Sequence, residues 1–202
     1  MPCTIPEFVI ENTIAYHGHV CPGLSIGIRA AELALRDVGD PTTFPMVAVS
    51  ETDMCGVDAI QFITGCTLGK GNFIHRDYGK MAFSFYNRDT GKGIRAVLDP
   101  SRSALFSEYR GLANRDARGE ASPEEKKHML TLRGQLQKHL MQIELDDLFN
   151  ITALDKGLPR PPRILESLTC AHCGEPTMES RTRRMGGEIL CIPCFEAVDQ
   201  KL

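Results

Sequence analysis

Apolar residues recur at helical spacing in three stretches of the chain. The first covers residues 7–16, and the second begins at Pro22, a residue that favours the first turn of a helix. One face of this second stretch carries Leu24, Ile28, Ala31, Leu35 and Val38. The third begins at Ser122, where a capping serine precedes a proline and two glutamates, and we expect it to continue to about residue 142. The pattern therefore predicts three main helices.

Buried-looking runs of apolar residues between these helices predict strands. We expect strands at residues 45–50, 81–86 and 94–99, with a glycine turn at 91–93 between the last two. Shorter helices are expected at residues 55–64 and 145–149. The mixture of helices and strands predicts an α+β fold.

The domain organisation follows from one change in composition. We expect an α+β core domain over residues 1–158 and an extended, proline- and arginine-rich linker over residues 159–168. Residues 169–202 then form a small C-terminal domain that holds half of the eight cysteines of the chain.

Composition and charge narrow the classes of function. The 202 residues are 42% hydrophobic and 24% charged, with a formal net charge of −3, so the whole chain is not typical of a nucleic-acid-binding protein. The first residues do not form a signal peptide, and no apolar run approaches the ~20 residues needed to span a membrane. We therefore expect a cytoplasmic protein. Because that compartment is reducing, the cysteines are expected to bind metal or react as thiols rather than form disulfides.

Two pairs of cysteines near the C-terminus have the spacing of a zinc site. The ligands would be Cys170, Cys173, Cys191 and Cys194, and two residues within each pair allow both sulfurs to face one ion. Four thiolates fill a tetrahedral zinc, so we expect a structural site. Gly186 and Gly187 predict a hairpin between the pairs, and residues 195–201 predict a helical tail. A pair of redox Cys-x-x-Cys motifs is the alternative.

The segment from Cys170 to Cys194 resembles the zinc finger of the DksA/TraR transcription factors. The resemblance rests on Cys170-Ala-His-Cys-Gly-Glu-Pro and on Ile189-Leu-Cys-Ile-Pro-Cys194. It covers about thirty residues and does not include an acidic-tipped coiled coil like the one through which those factors reach RNA polymerase. A shared finger therefore does not imply a shared function.

A second group of candidate ligands lies near the N-terminus. His17, His19 and Cys21 fall within five residues, and a glycine between the histidines allows them to converge from a turn. Cys21 precedes the predicted helix at Pro22, where the helix dipole favours a thiolate. Cys55 begins the next predicted helix, so these four residues predict a second metal site. Either thiol is a candidate nucleophile or redox group.

Polar residues that follow Cys55 predict a ligand-binding segment. Asp58 and Gln61 are three residues apart on one helix face, where they could orient metal ligands or carry protons. The loop that follows contains Cys66, Thr67, Lys70 and Asn72 among several glycines. It is one residue shorter than a P-loop and lacks its final Ser or Thr. Loop amides and Lys70 could still bind an anionic ligand.

These two stretches together resemble the FmdE family, named for a component of molybdenum or tungsten formylmethanofuran dehydrogenase. The matching residues are His17-Gly-His-x-Cys-Pro-Gly-Leu-x-x-Gly-x-Arg29 and Cys55-x-x-Asp-Ala-Ile-Gln-x-x-Thr-Gly-Cys-Thr-x-Gly-Lys-Gly-Asn72. The resemblance covers roughly residues 10–150. It implies a homodimer with a two-layer, mixed-sheet α+β core akin to the catalytic domain of glyceraldehyde-3-phosphate dehydrogenase. It also implies a site lined by the two motifs.

Two hypotheses of function remain open at this point. In the first, the chain is an accessory or redox-associated metalloprotein with structural zinc in the finger and zinc, nickel or iron in the core, working with molybdenum or tungsten oxidoreductase subunits. In the second, it is a regulator whose core senses a metal or small ligand. Its finger, with the basic residues Arg181, Arg183 and Arg184, would then contact polymerase or another protein. The first requires neither a membrane nor a nucleic acid.

Overall fold

The computed structural model of the chain describes residues 2–198 and divides into two compact units, Met1–Pro161 and Pro162–Leu202. The boundary between the units lies within the predicted linker. The elements of the first unit are α1 (Glu7–His17), α2 (Pro22–Asp37), β1 (Met46–Ser50), α3 (Gly56–Thr64), β2 (Phe73–His75), β3 (Ala82–Asn87), β4 (Gly93–Leu98), α4 (Ala104–Ala117), α5 (Pro123–Leu140), α6 (Leu145–Leu148) and β5 (Phe149–Leu154).

The strands of the first unit form one mixed sheet. Their order is β2-β1-β3-β4-β5, and only the β1–β2 pair among them is parallel. That parallel pair needs a crossover connection, which α3 provides. The mixed α+β architecture expected from the sequence is therefore confirmed, whereas the likeness to the catalytic domain of glyceraldehyde-3-phosphate dehydrogenase stays a prediction.

The main apolar core lies between one face of this sheet and the helices. Phe83 and Phe85 of the central strand β3 are fully buried there, together with Leu136 and Leu140 of α5. Alternate residues of β1 point to opposite faces, so Met46 and Ala48 join this core while Val47 and Val49 pack on the other side of the sheet. All of β1 is buried, which explains why its sequence is a continuous apolar run.

Helices α2 and α3 approach each other closely through two glycines. A Cβ added to Gly27 of α2 would overlap backbone atoms of Gly56, the first residue of α3. A side chain at either position would therefore push the helices apart. Their contact brings together the N-termini of α2 and α3, which carry Cys21 and Cys55 as the residues that precede them.

The predicted helices and strands of the first unit are present with shifts of one or two residues at most ends. The cap predicted at Ser122 forms a complete capping box with Glu125. Three elements were not predicted: α4, β2 and β5. No helix in the described part of the chain has the length and apolar character needed to cross a membrane.

The second unit is a small finger built from two hairpins and a short helix. Its elements are β6 (Ser167–Thr169), β7 (Pro176–Met178), β8 (Thr182–Met185), β9 (Glu188–Cys191) and α7 (Ile192–Glu196). The hairpin predicted around Gly186 and Gly187 is confirmed, because both glycines adopt positive φ between β8 and β9. Strand β6 begins two residues inside the predicted linker.

The predicted helical tail of the finger needs a correction. It was expected over residues 195–201, but the helix begins at Ile192 and ends at Glu196. The reason is local: Cys191 adopts an extended conformation immediately before the helix, and Pro193 falls in its first turn. Residues 199–201 of the predicted tail lie outside the described residues.

Candidate metal centres

Three helix ends bring the ligands of the core cluster together. His17 is the last residue of α1, and Gly18 reverses the chain after it with a φ of 91°. Cys21 is the N-cap of α2, and Cys55 is the N-cap of α3. The cluster of His17, His19, Cys21 and Cys55, which we call the core site, therefore lies where the positive ends of two helix dipoles meet.

The core site has the geometry expected of metal ligands. One donor atom from each of its four residues lies within 4.8 Å of every other. His17 Nε2 and Cys21 Sγ are 3.9 Å apart, close to the about 3.6 Å expected between nitrogen and sulfur ligands around a tetrahedral zinc. Imidazole and thiolate donors suit zinc and other transition metals. The residues present thus fit a metal ion, and they form a Cys/His metal-binding group.

Asp58 orients one of these ligands from α3. Its Oδ2 atom lies 2.7 Å from His17 Nδ1, which leaves Nε2 of the same ring facing the other donors. A carboxylate bonded to the far nitrogen of a histidine is the usual partner of a metal-bound imidazole, because it fixes the ring and its tautomer. The orienting role predicted for Asp58 is consistent with this contact.

The two thiols of the core site are held differently. Cys21 is 7% exposed, and its sulfur accepts the N–H of Leu24 at 3.3 Å, as an N-cap does. Cys55 is half-buried, and burial followed by the neighbouring Cys21 thiol raises its pKa. Two adjacent thiols resist becoming thiolates together in the absence of a cation, and a bound cation would relieve that repulsion.

The finger brings its four cysteines together as a second cluster. Their sulfurs lie within 4.8 Å of one another, and the Cys173 and Cys191 sulfurs are 3.9 Å apart. Tetrahedral zinc with bonds of about 2.3 Å requires a separation of about 3.8 Å between sulfurs. The backbone N–H of Cys191 also donates to Cys170 Sγ at 3.3 Å. This set fits a tetrahedral zinc with no position left for another ligand.

Charge in the finger is balanced unevenly among the four thiols. Backbone N–H groups, first that of Cys173 and then that of Cys191, lower the pKa of Cys170 to about 6. The Cys191 thiol, as the largest influence, raises the pKa of Cys194 to about 12. One thiolate thus forms readily while its neighbours resist ionisation, as expected of a cluster that requires a divalent cation to become fully ionised.

Comparison with known sequences identifies the family. Residues 16–150 match the sequence model described as "FmdE, Molybdenum formylmethanofuran dehydrogenase operon", which spans the core site, the sheet and the helices. The chain belongs to the FmdE family. Residues 163–200 separately match the prokaryotic DksA/TraR C4-type zinc finger. This FmdE protein therefore carries a zinc finger, and both resemblances seen in its sequence are confirmed.

Two relatives extend this comparison. The FmdE protein is 28% identical over 189 residues to a "Probable S-adenosyl-L-methionine-binding protein" of Archaeoglobus fulgidus, and the match covers 89% of this chain. It spans about half the length of that relative. A solved structure of an FmdE-like protein of tungsten formylmethanofuran dehydrogenase, from Syntrophus aciditrophicus, superposes with a TM-score of 0.67 at 24% identity. That superposition covers 97% of this chain and 94% of the other, and it shows a shared fold.

Most of the residues predicted to bind an anionic ligand make bonds that shape their own loop. Gln61 accepts the N–H of Leu68, and Lys70 Nζ donates to the carbonyl of Gly65 at 2.7 Å. Cys66 is fully buried, so its sulfur is not available at the surface. Thr67 and Asn72 bond to each other through the Thr67 N–H and the Asn72 Oδ1 atom.

This loop of the FmdE protein also borders a surface cleft of about 350 Å³. Lys70 and Asn72 both line the cleft, so an anion could still contact them there. The structure thus brings Asp58 to the core site and places the other predicted ligand-binding residues around the loop. The anion-binding role stays a prediction.

Sequence reasoning missed two features beside the core site. Arg133 of α5 donates to the carbonyl oxygen of Val20 at 3.0 Å and so anchors the chain between His19 and Cys21. A groove of about 400 Å³, lined mainly by apolar residues of α1, α2 and α5, also begins at Val20. Neither has a local sequence signal, because each depends on where α5 packs.

Proposed function

We propose that this FmdE protein is an accessory or redox-associated metalloprotein that binds a second transition metal at the core site. The observation that carries the proposal is the convergence of four donor atoms, from His17, His19, Cys21 and Cys55, to within 4.8 Å. The Asp58–His17 contact supports it, because that contact turns the second nitrogen of the ring toward the cluster. The finger, by contrast, holds a structural zinc.

The donor set narrows the metal that the core site binds. Two imidazoles and two thiolates suit zinc, nickel or iron better than magnesium or calcium, which prefer oxygen ligands. With nickel or iron, the paired thiols Cys21 and Cys55 would tune or share the redox chemistry. With zinc, one of them is the candidate nucleophile.

The glycine loop provides the second part of the proposed function. An anionic ligand would bind in the cleft that Lys70 and Asn72 line. Lys70 can contribute its positive charge to such a ligand if it exchanges its bond to the Gly65 carbonyl for one to the anion.

The family suggests the setting in which the metalloprotein works. We propose a cytoplasmic homodimer, with the core fold of the glyceraldehyde-3-phosphate dehydrogenase catalytic domain, that associates with subunits of a molybdenum or tungsten oxidoreductase. The family description refers to the operon of such an enzyme, which supports the association.

Metal analysis of the purified full-length protein tests the core site. We expect two metal equivalents per chain, one for each cluster, and one equivalent in the double variant Cys21→Ser/Cys55→Ser. Cys3→Ser is the matched control, because Cys3 belongs to neither cluster and its substitution should leave both equivalents in place. Two equivalents in the double variant would reject the core site.

A regulatory role is the second candidate, and the finger favours it. Its match to the DksA/TraR type and the exposure of Arg181, Arg183 and Arg184 offer a basic surface for a macromolecular partner. The core would then sense a small ligand, for which the relative described as binding S-adenosyl-L-methionine suggests one probe. A gene location beside molybdenum or tungsten enzyme genes favours the first function, and one beside regulated operons favours this one.

A further inference from the structure

The four ligands of the core site are not held equally. The side chain of His17 is 8% exposed and bonded to Asp58, and Cys21 is buried and bonded to the Leu24 N–H. Cys55 packs against α2, where a Cβ on Gly23 would lie 3.2 Å from the Cys55 Cβ. These three donors are therefore fixed before any metal binds.

His19 differs from the other three in each respect. It is exposed, and within residues 2–198 no hydrogen bond or ion pair holds its imidazole. Its ring contacts that of His17, with the ring centroids 4.4 Å apart. The backbone after it is anchored through Val20 and Arg133, so the freedom at this position belongs to the side chain.

From this asymmetry we infer that His19 is an exchangeable ligand, and that an external electron-pair donor replaces it on the core metal. The inference rests on the proposed core site. In the exchange, the bond from metal to the His19 imidazole breaks and a bond from metal to the donor forms. The released imidazole turns into solvent with its lone pair hydrated.

Three fixed protein ligands and one replaceable position are the arrangement of reactive zinc sites, whereas four fixed ligands are typical of structural ones. The finger is the internal comparison, because all four of its ligands lie in one closed sulfur cluster. The incoming donor is a nitrogen or sulfur group, since thiolate and imidazole ligands select metals that prefer such donors.

Exchange at His19 can be measured with cobalt in the full-length protein. Cobalt bound by thiolates absorbs visible light, and its spectrum changes with coordination. The spectrum of Cys21→Ser/Cys55→Ser supplies the contribution of the finger for subtraction. Imidazole added to wild type should change the core spectrum and leave the finger spectrum unchanged.

Substitutions separate the four ligands by their effect on core affinity. His19→Ala should keep two metal equivalents and weaken core binding by less than about tenfold, while His17→Ala should lose more than the about 10–100-fold typical of an orienting residue. Added imidazole should restore the wild-type cobalt spectrum to His19→Ala. His75→Ala, which removes an exposed histidine elsewhere, is the matched control.

The outcomes distinguish this inference from the proposal on which it rests. If His19→Ala retains one equivalent, as His17→Ala should, His19 is a required ligand and the inference is wrong while the core site stands. A core spectrum of wild type that imidazole leaves unchanged also overturns it, whether or not the alanine variants fold. A single equivalent in wild type overturns both.

Discussion

Replacement of Gly27 by alanine tests whether the close approach of α2 and α3 builds the core site. A Cβ at this position would overlap the carbonyl oxygen and the Cα of Gly56. Both are backbone atoms, so no rotation of a side chain relieves the overlap and the helices must separate. Overpacking costs about 1–3 kcal/mol, and alanine returns about 0.5–1 kcal/mol of helix propensity. Because backbone yields less than side chains, we expect a net loss of about 2 kcal/mol.

A loss of this size is measurable in two assays. For a domain of this length it lowers the Tm by about 4–8 °C, which calorimetry detects. The shift should also weaken core metal binding in a chelator competition, because Cys55 moves away from Cys21 with α3.

The control for this prediction is Gly111→Ala in α4. A Cβ at Gly111 would meet no atom within 4 Å, so alanine there should stabilise the protein by about 0.5–1 kcal/mol and leave metal affinity unchanged. Equal stability and equal core affinity for the two variants would refute the argument that these glycines set the spacing of the site.

Two other predictions concern pH and metal removal. The guanidinium of Arg95 bonds the Glu51 carboxylate at 2.6 and 2.8 Å and lowers its pKa below the ordinary 4.5, so the pair stabilises the fold above the unfolded pKa and this contribution is lost as pH falls through the lower folded value. Glu51→Gln should therefore flatten the decline of Tm between about pH 7 and pH 3, and an unchanged profile would contradict the assignment. Chelation should expose the finger to protease while the first unit stays intact, because the finger has a small apolar cluster around Leu190, and unaltered protection of residues 162–198 would show that it folds without metal.

The elements that the sequence predicted well are those with local causes. Helix α5 begins at Ser122 because its capping box and proline act within four residues, and α2 begins at Pro22 behind a capping cysteine. The sulfur pairs of the finger were equally readable, since two residues between cysteines already restrict both sulfurs to one side of a turn.

The elements that were missed depend on distant partners. Helix α4 contains no buried residue among its fourteen, so its apolar pattern is weak, and it packs along α5. Strand β5 follows α6 without a break and carries several exposed residues. Its pairing with β4 defines it as a strand, and that pairing has no signal in the local sequence.

The sequence by itself determined which residues of this protein can bind metal, because donor chemistry belongs to the side chain and short motifs limit where it points. Only the tertiary structure decided which donors meet. The contact of Gly27 with Gly56 brings Cys55 beside Cys21, and the same contact turns Asp58 toward His17, while Gln61 serves the loop. Convergence of this kind depends on how two helices pack, and packing is settled by the whole core rather than by the residues that bind.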